Sequence, residues 1–251
     1  MIIEQTLELL RKMNLGTIAD EYDRQMSDSQ ATSMSFDDRF GMMVDLEYAK
    51  RQNGRLARLI KNAGFTDKNA SVENITYLPG RGLDSAQMQK LASCAYIERN
   101  LNVQLLGATG VGKSFIANAL GISACRNGHK VKCVNLQDLL IAFMVAKDNG
   151  TFNRVFSEYT RVRLLIIDDW LMFDIIDDAE ASFLYNLIEA RKYSGSMIIC
   201  SQIDAEGWHA RISNKIAADS ICDRLVNSSH KIIISGEMRK EIARQSMSAE
   251  A

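Results

Sequence analysis

A single proline, three histidines and no C-x-x-C pair set the first limits on this chain of 251 residues. The five cysteines, Cys94, Cys125, Cys133, Cys200 and Cys222, are scattered and form no metal-like cluster with His129, His209 and His230. That pattern excludes a disulfide scaffold and a zinc framework, and leaves the thiols as small buried groups in a reducing compartment. Positive charge is missing in bulk: the formal net charge is −1, so no protein-wide basic field attracts nucleic acid and any such contact needs a local patch. Met1-Ile2-Ile3-Glu4-Gln5 lacks the basic region and apolar core of an export leader, and no apolar run is long enough to span a bilayer. The expectation is a soluble, cytoplasmic protein with no membrane contact. At 47% hydrophobic residues there is material for one large domain, or for one core plus a small appendage.

What is present is organised around Gly107-Ala108-Thr109-Gly110-Val111-Gly112-Lys113-Ser114, which satisfies G-x-x-x-x-G-K-[ST]. Chance alone gives that pattern in roughly one such chain in 100 at average glycine usage. Here an apolar run, Val103-Gln104-Leu105-Leu106, precedes it and a helical pattern opens at Phe115, the strand-loop-helix setting of a phosphate loop. Glycines let the backbone wrap a phosphate and aim its N–H groups inward at a helix N-terminus. Residues 107–115 are therefore the expected nucleotide site, with Lys113 on the β and γ phosphates and Ser114 on Mg²⁺.

Before this loop the chain reads as helical to about residue 66. Leu7, Leu10, Met13 and Leu15 mark one helix, with Gly16 as its stop. A second begins after Ser35 as N-cap, with Asp37 and Asp38 in the first turn and Phe36, Phe40, Met43, Leu46 and Tyr48 as its apolar stripe. The high methionine content, 12 residues, is expected in the core. Lys50, Arg51, Arg55, Arg58 and Lys61 then form a basic face without an acidic residue, opposite Leu56, Ile60 and Ala63. Such a face suits a phosphate backbone or plain solvent, and Gly54 weakens the helix beneath it. Residues 66–100 read as a connector around Pro79, followed by a helix capped by Asp84 that runs through Met88, Leu91, Ala95 and Ile97.

Beyond the loop, apolar strands at 131–134, 164–167, 197–200 and 232–234 alternate with helices, including one at 136–146 and one capped by Asp178. Five continuous apolar strands separated by helices imply a parallel sheet covered on both faces. Leu164-Leu165-Ile166-Ile167-Asp168-Asp169 has the form of a Walker B strand. Asp168, at a strand end, is placed to hold Mg²⁺ opposite Ser114, and Asp169 to orient or deprotonate the attacking water. One strand separates the two motifs, which points to the ATPase class with an inserted strand. Ser201 and Gln202 follow the fourth strand, and Gln202, whose amide donates and accepts, is the better γ-phosphate contact. Arg211 and Arg224 are the only arginines between the fourth and fifth strands. Arg224 is the first choice, and Arg211 the second, for an arginine that completes a neighbouring subunit's site.

With these residues in view, the chain resembles the IstB-like ATP-binding proteins, helper ATPases of insertion-sequence transposition within the AAA+ class and close to the DnaC-like helicase loaders. Besides the nucleotide motifs, the resemblance rests on Arg81-Gly82-Leu83-Asp84, Cys200-Ser201-Gln202, Trp208-His209, Ala218-Asp219, Asp223-Arg224-Leu225-Val226 and Gly236-Glu237-Met238-Arg239-Lys240. It implies a small helical N-terminal domain over residues 1–66 for DNA binding and assembly, and an AAA+ ATPase domain over residues 67–251 with a minimal lid or none. It also implies an ATP- and Mg²⁺-dependent homo-oligomer on duplex DNA, with little sequence preference, that recruits and stimulates a cognate transposase. Arg239 is then a candidate second sensor of nucleotide. Two features depart from the general AAA+ pattern: Asp169 stands where glutamate is usual, and Trp170 to Phe173 lack the glycine and proline common after that strand. A DnaC-like loader of a replicative helicase is the alternative that the same resemblance allows.

Overall fold

The computed structural model describes residues 2–172 and 175–236, and its chain divides into two compact units, residues 1–58 and 59–251. The first unit contains α1 (Ile2–Lys12), α2 (Gly16–Met26), α3 (Ser29–Thr32) and most of α4 (Phe36–Ala63). Gly16 does not stop the first helix; it opens the second. The turn is made by Asn14 at φ 59°, a left-handed conformation asparagine tolerates, and the Leu15 N–H closes α1 on the Leu10 carbonyl at 2.9 Å. Ser35 caps α4 as expected: its Oγ accepts from the Asp38 N–H at 3.2 Å and donates to the Asp38 carboxylate at 2.6 Å.

The inward face of α4 differs from the expected stripe. Met43 is buried, but Phe36, Phe40, Leu46 and Tyr48 are exposed, as are Met13, Met26, Met34 and Met42. On the packed side, Met43 and Glu47 are buried at i, i+4 spacing, with exposed Arg51 one turn further on. Glu47 accepts from the Thr17 N–H at 3.2 Å and from Arg51 Nε at 2.7 Å, while Arg51 Nη2 donates to the Asn14 carbonyl at 2.9 Å. A polar network at the α1–α2 turn thus fixes the rotation of α4, which apolar periodicity alone does not report.

In the second unit come α5 (Ser85–Ala92), α6 (Ala95–Glu98), β1 (Asn102–Leu106), α7 (Lys113–Arg126), β2 (Val131–Asn135), α8 (Leu136–Asp148), α9 (Phe152–Thr160) and β3 (Leu164–Asp168). They are followed by α10 (Asp178–Arg191), β4 (Ser196–Ser201), α11 (Ala205–Ala210), α12 (Lys215–Val226) and β5 (Ser229–Ile233). Residues 59–66 belong with this unit: Phe65 is buried, and Asn118 Nδ2 of α7 donates to Thr66 Oγ1 at 2.7 Å. The helix expected from Asp84 to Ile97 is two helices, because buried Cys94 takes φ 64° and breaks the ladder. Asp177, not Asp178, caps α10, through a reciprocal capping box with Glu180. The unforeseen α9 is held by an aromatic cluster in which Phe143 meets Phe152, Phe156, Tyr159 and Phe183 with centroids 5.5–5.9 Å apart.

The five parallel strands run in the order β2-β3-β4-β1-β5. α7, buried along most of its length, covers one face. On the other, α8 to α12 bury Leu106, Leu165, Ile167 and Ile199 with their own apolar side chains. This order brings the carboxyl ends of β1, β4 and β3 side by side, which is what positions the site. Among the described residues no helix is long and apolar enough to cross a membrane. Residues 237–251, which include Arg239 and any lid, lie outside the described residues, as does Phe173 of the loop after β3.

Gly54 sits mid-helix in α4, exposed, and a Cβ there would meet nothing within 4 Å. Gly54→Ala is expected to stabilise the protein by about 0.5–1 kcal/mol, read as a higher urea midpoint with an unchanged slope. A lower midpoint would mean that α4 is not continuous at this residue.

Candidate nucleotide site

The loop after β1 has the backbone its sequence demands, with Gly107, Gly110 and Gly112 at φ 157°, 85° and 98°. A Cβ on Gly107 would collide with the Ile234 carbonyl, so only glycine lets the chain leave β1 between β4 and β5. The Gly107 N–H donates to the Ser201 carbonyl at 3.1 Å, and the Ile234 N–H to the Leu106 carbonyl at 2.7 Å. Gly112 precedes α7, which no side chain caps. By contrast α5, α8, α10, α11 and α12 are capped by Asp84, Asn135, Asp177, Asp204 and Asn214. The first-turn N–H groups of α7 are thus available to an anion.

Lys113, only 7% exposed, turns its ammonium into the loop and donates to the carbonyls of Gly107 and Ala108, both at 2.8 Å. Burial lowers its pKa, against the pull of Asp168 and Asp169. A buried ammonium at the centre of an uncapped glycine loop fits a phosphate group. Arg81, which the sequence marks only as part of the connector, braces that loop from behind. It is 3% exposed, and its guanidinium donates to the carbonyls of Thr76 and Val111, each at 2.6 Å. The Ser235 N–H donates to the Arg81 carbonyl at 2.9 Å, so the segment after β5 is tied to the same residue. A charged residue inside Gly80-Arg81-Gly82 was the one available signal.

Asp168 ends β3 in register with Asn135 at the end of β2. Asp169 follows in the left-handed region, φ 52°; its N–H donates to Asp168 Oδ1 at 3.0 Å and its carboxylate accepts from Asn135 Nδ2 at 2.8 Å. Asn135 also caps α8 through its Oδ1, accepting from the Gln137 N–H. Sequence reasoning had no reason to single it out, since its meeting with Asp169 spans 34 positions. The Ser114 hydroxyl and the Asp168 carboxylate are hard oxygen donors of the type Mg²⁺ takes.

The remaining candidates are distributed by the sheet order. β4 lies between β1 and β3, so half-buried Gln202, just past its end, stands between the phosphate loop and the aspartate pair, beside a cavity of about 430 Å³ that Gly107 also lines. Ser201 is used internally: its Oγ donates to the Trp170 carbonyl at 3.0 Å and accepts from Trp208 Nε1 at 2.9 Å. Arg211 is likewise a brace, donating to the carbonyls of Leu171, at 2.6 Å, and Met172 in the loop after Asp169. Arg224 lies at the opposite end of the sheet, where the Asn102 amide donates to its carbonyl; its guanidinium pairs with Glu189 and lies 5.2 Å from the Tyr185 ring centroid. In the first unit, Lys50, Arg55 and Arg58 are exposed along α4, while Arg51 is committed to Glu47 and Asn14. Lys61 is exposed in the α4 turn that belongs to the second unit.

Residues 8–246 match the IstB-like ATP binding protein family. The chain is 32% identical, over 98% of its length and 100% of the relative's, to a Sinorhizobium fredii protein named for ATP binding in an insertion sequence, y4pL. Among solved structures, AMPPCP-bound DnaA from Aquifex aeolicus superposes with a TM-score of 0.58 at 18% identity, over 74% of this chain and 56% of DnaA, little more than half of that protein. The DnaC helicase loader superposes with a TM-score of 0.57 at 14% identity, over 66% of this chain and 97% of DnaC. These likenesses establish the AAA+ fold.

Burial, and then the neighbouring Asp168, raise the pKa of Asp169. The folded state therefore favours its protonated form, and stability falls as pH rises from the ordinary carboxylate range through the raised value. Asp169→Asn is expected to melt above the parent protein at pH 7, with the gap closing toward pH 4, as followed by circular dichroism. A gap independent of pH would remove the carboxylate as its cause.

Proposed function

The chain belongs to the IstB-like ATP-binding protein family, and we propose that it is a cytoplasmic ATPase that assembles on duplex DNA and serves a partner transposase in DNA transposition. The observation that carries this reading is the pairing of an uncapped, glycine-built phosphate loop around Lys113 with a buttressed Asp168–Asp169 pair. On this reading Lys113 leaves the Gly107 and Ala108 carbonyls for the β and γ phosphates, and the loop N–H groups bind the same oxygens. Ser114 and Asp168 hold Mg²⁺, which when bound neutralises charge on the phosphate oxygens. Asp169 orients the attacking water and accepts its proton, and Gln202 contacts the γ-phosphate.

Arg224 completes the site of a neighbouring copy, which makes turnover depend on assembly. The helical part up to residue 66 supplies DNA contact through Lys50, Arg55, Arg58 and Lys61, with Arg51 holding the helix in place. ATP binding builds the oligomer on DNA of any sequence, and hydrolysis resets it.

The test is a mobility shift on random-sequence linear duplex, with and without ATP, alongside ATP turnover. Large ATP-dependent complexes are expected, with turnover rising with protein concentration and with duplex. Lys113→Ala should lose both nucleotide binding and the complexes, and Asp169→Asn should keep binding but lose turnover. Binding restricted to single strands, with capture of a replicative helicase, would move the chain to the loader class. If α4 contacts phosphates, Arg55→Ala combined with Arg58→Ala should flatten the logarithmic salt dependence by about 0.9 per lost contact; an unchanged slope would return that face to solvent.

A further inference from the structure

The second unit carries a groove of about 760 Å³ that the nucleotide chemistry does not use. It lies between the last turn of α4, the first residues of β2 and the outer side of α9. β2 is an edge strand that ends at Asn135, next to Asp169, whereas the groove is at its beginning, about 13 Å away along the strand.

Its charge is one-sided. Lys130, Lys132, Arg154 and Arg161 face a single carboxylate, Glu158. Among the described residues none of these four cations forms an ion pair, whereas Arg24, Arg51, Arg163 and Arg224 all do. Lys132 lies 5.6 Å from the Tyr159 ring centroid, which holds its ammonium in place. In a chain of net charge −1, four cations around one groove against a single carboxylate leave it a net positive charge that an anion relieves. Asn62 and Asn153 add neutral donors, side chains of the kind that bond phosphate oxygens. The apolar lining is only Leu59, Val131 and Val162, with none of the aromatic anchors that dominate protein docking sites.

We propose that this groove binds the sugar-phosphate backbone of DNA, as a second contact contributed by the ATPase unit. The proposal rests on the reading of the chain as a duplex-binding protein, and the test separates the two. In the full-length chain, Lys130→Ala, Arg154→Ala and Arg161→Ala are combined, with Lys132 left on Tyr159. Affinity for random duplex is then measured across potassium chloride concentrations, beside the Arg55→Ala, Arg58→Ala pair. The logarithmic salt slope should fall by about 2 to 3 in the triple variant, with ATP affinity unchanged because the groove is remote from the loop; Arg154→Glu alone should weaken duplex binding further than Arg154→Ala. Duplex binding by the parent chain with an unchanged slope in the triple variant overturns the groove alone. No duplex binding by the parent chain overturns the reading on which it rests. Binding of a polyglutamate peptide that the triple variant loses, with duplex binding intact, assigns the groove to an acidic protein partner and overturns the proposal.

Discussion

Asp169 is held against two opposing effects, and the surroundings of the site are largely the means of holding it. Its backbone is left-handed, a conformation costing roughly 1–2 kcal/mol outside glycine and only partly offset by local bonding in aspartate. Burial disfavours the charged form of its carboxyl, and the charge of neighbouring Asp168 disfavours it further. The next residues are therefore fixed from several directions. The Trp170 N–H donates to the Cys200 carbonyl at 2.8 Å, Ser201 holds the Trp170 carbonyl, Trp208 holds Ser201, and Arg211 holds the carbonyls of Leu171 and Met172. Trp170 and Trp208 are fully buried and meet edge to face at 6.1 Å. At about 1 kcal/mol per neutral hydrogen bond, this set together with the burial of two indoles outweighs the local cost. The Trp-His and Ser-Gln pairs that the resemblance uses as labels thus have a physical reason: each supports the turn that carries Asp169.

The opposite wall shows the same economy of placement with the sign of charge reversed. Lys113 sits in a low-dielectric setting and bonds to two neutral carbonyls, which stabilise a cation less well than phosphate oxygens do. The first turn of α7 has donors and no side-chain acceptor. Both groups gain partners from one polyphosphate, so ligand binding is linked to stabilisation of the folded unit. Arg81 ties the loop to the connector and to the residues after β5, so a ligand-dependent shift at Val111 has a direct mechanical route out of the site.

Much of this was legible in the residues. The phosphate loop and the Walker B strand announce themselves by spacing, and five apolar runs fix the parallel sheet, because each is read locally. Features decided by distant partners were not legible. Asn135 meets Asp169, Arg81 meets Val111 and Arg211 meets Leu171 only after the chain has folded. α9 is short and has no cap; its place comes from Phe143 and Phe183. The rotation of α4 is not legible in its apolar stripe, because Glu47, a carboxylate on the buried side, is sustained by Arg51 and the Thr17 N–H, while Phe36 and Tyr48 face outward at 76% and 64% exposure. Cys94 breaks a helix that propensity continues: it is buried with a left-handed backbone, and its Sγ accepts from Asn127 Nδ2 after α7 at 3.6 Å.

The intrachain partner of Arg224 does not conflict with a role in a neighbouring site, and magnitudes decide the point. The Glu189–Arg224 pair is partly open to solvent, with side chains 20% and 45% exposed for Arg224 and Glu189. Such pairs contribute about 0–1 kcal/mol. An arginine that reaches a transferring phosphoryl group is worth about 10³ to 10⁵ in rate, or roughly 4–7 kcal/mol at the transition state. Under the proposed role, losing the Glu189 pair therefore costs little beside the transition-state gain, while the guanidinium also lies over the Tyr185 ring. Arg224 lies at the end of the sheet opposite its own phosphate loop, too far to serve the site it shares a chain with. Under the proposed assembly, the same position that withholds the arginine from its own phosphate loop leaves it at the end of the sheet where a second copy would meet it.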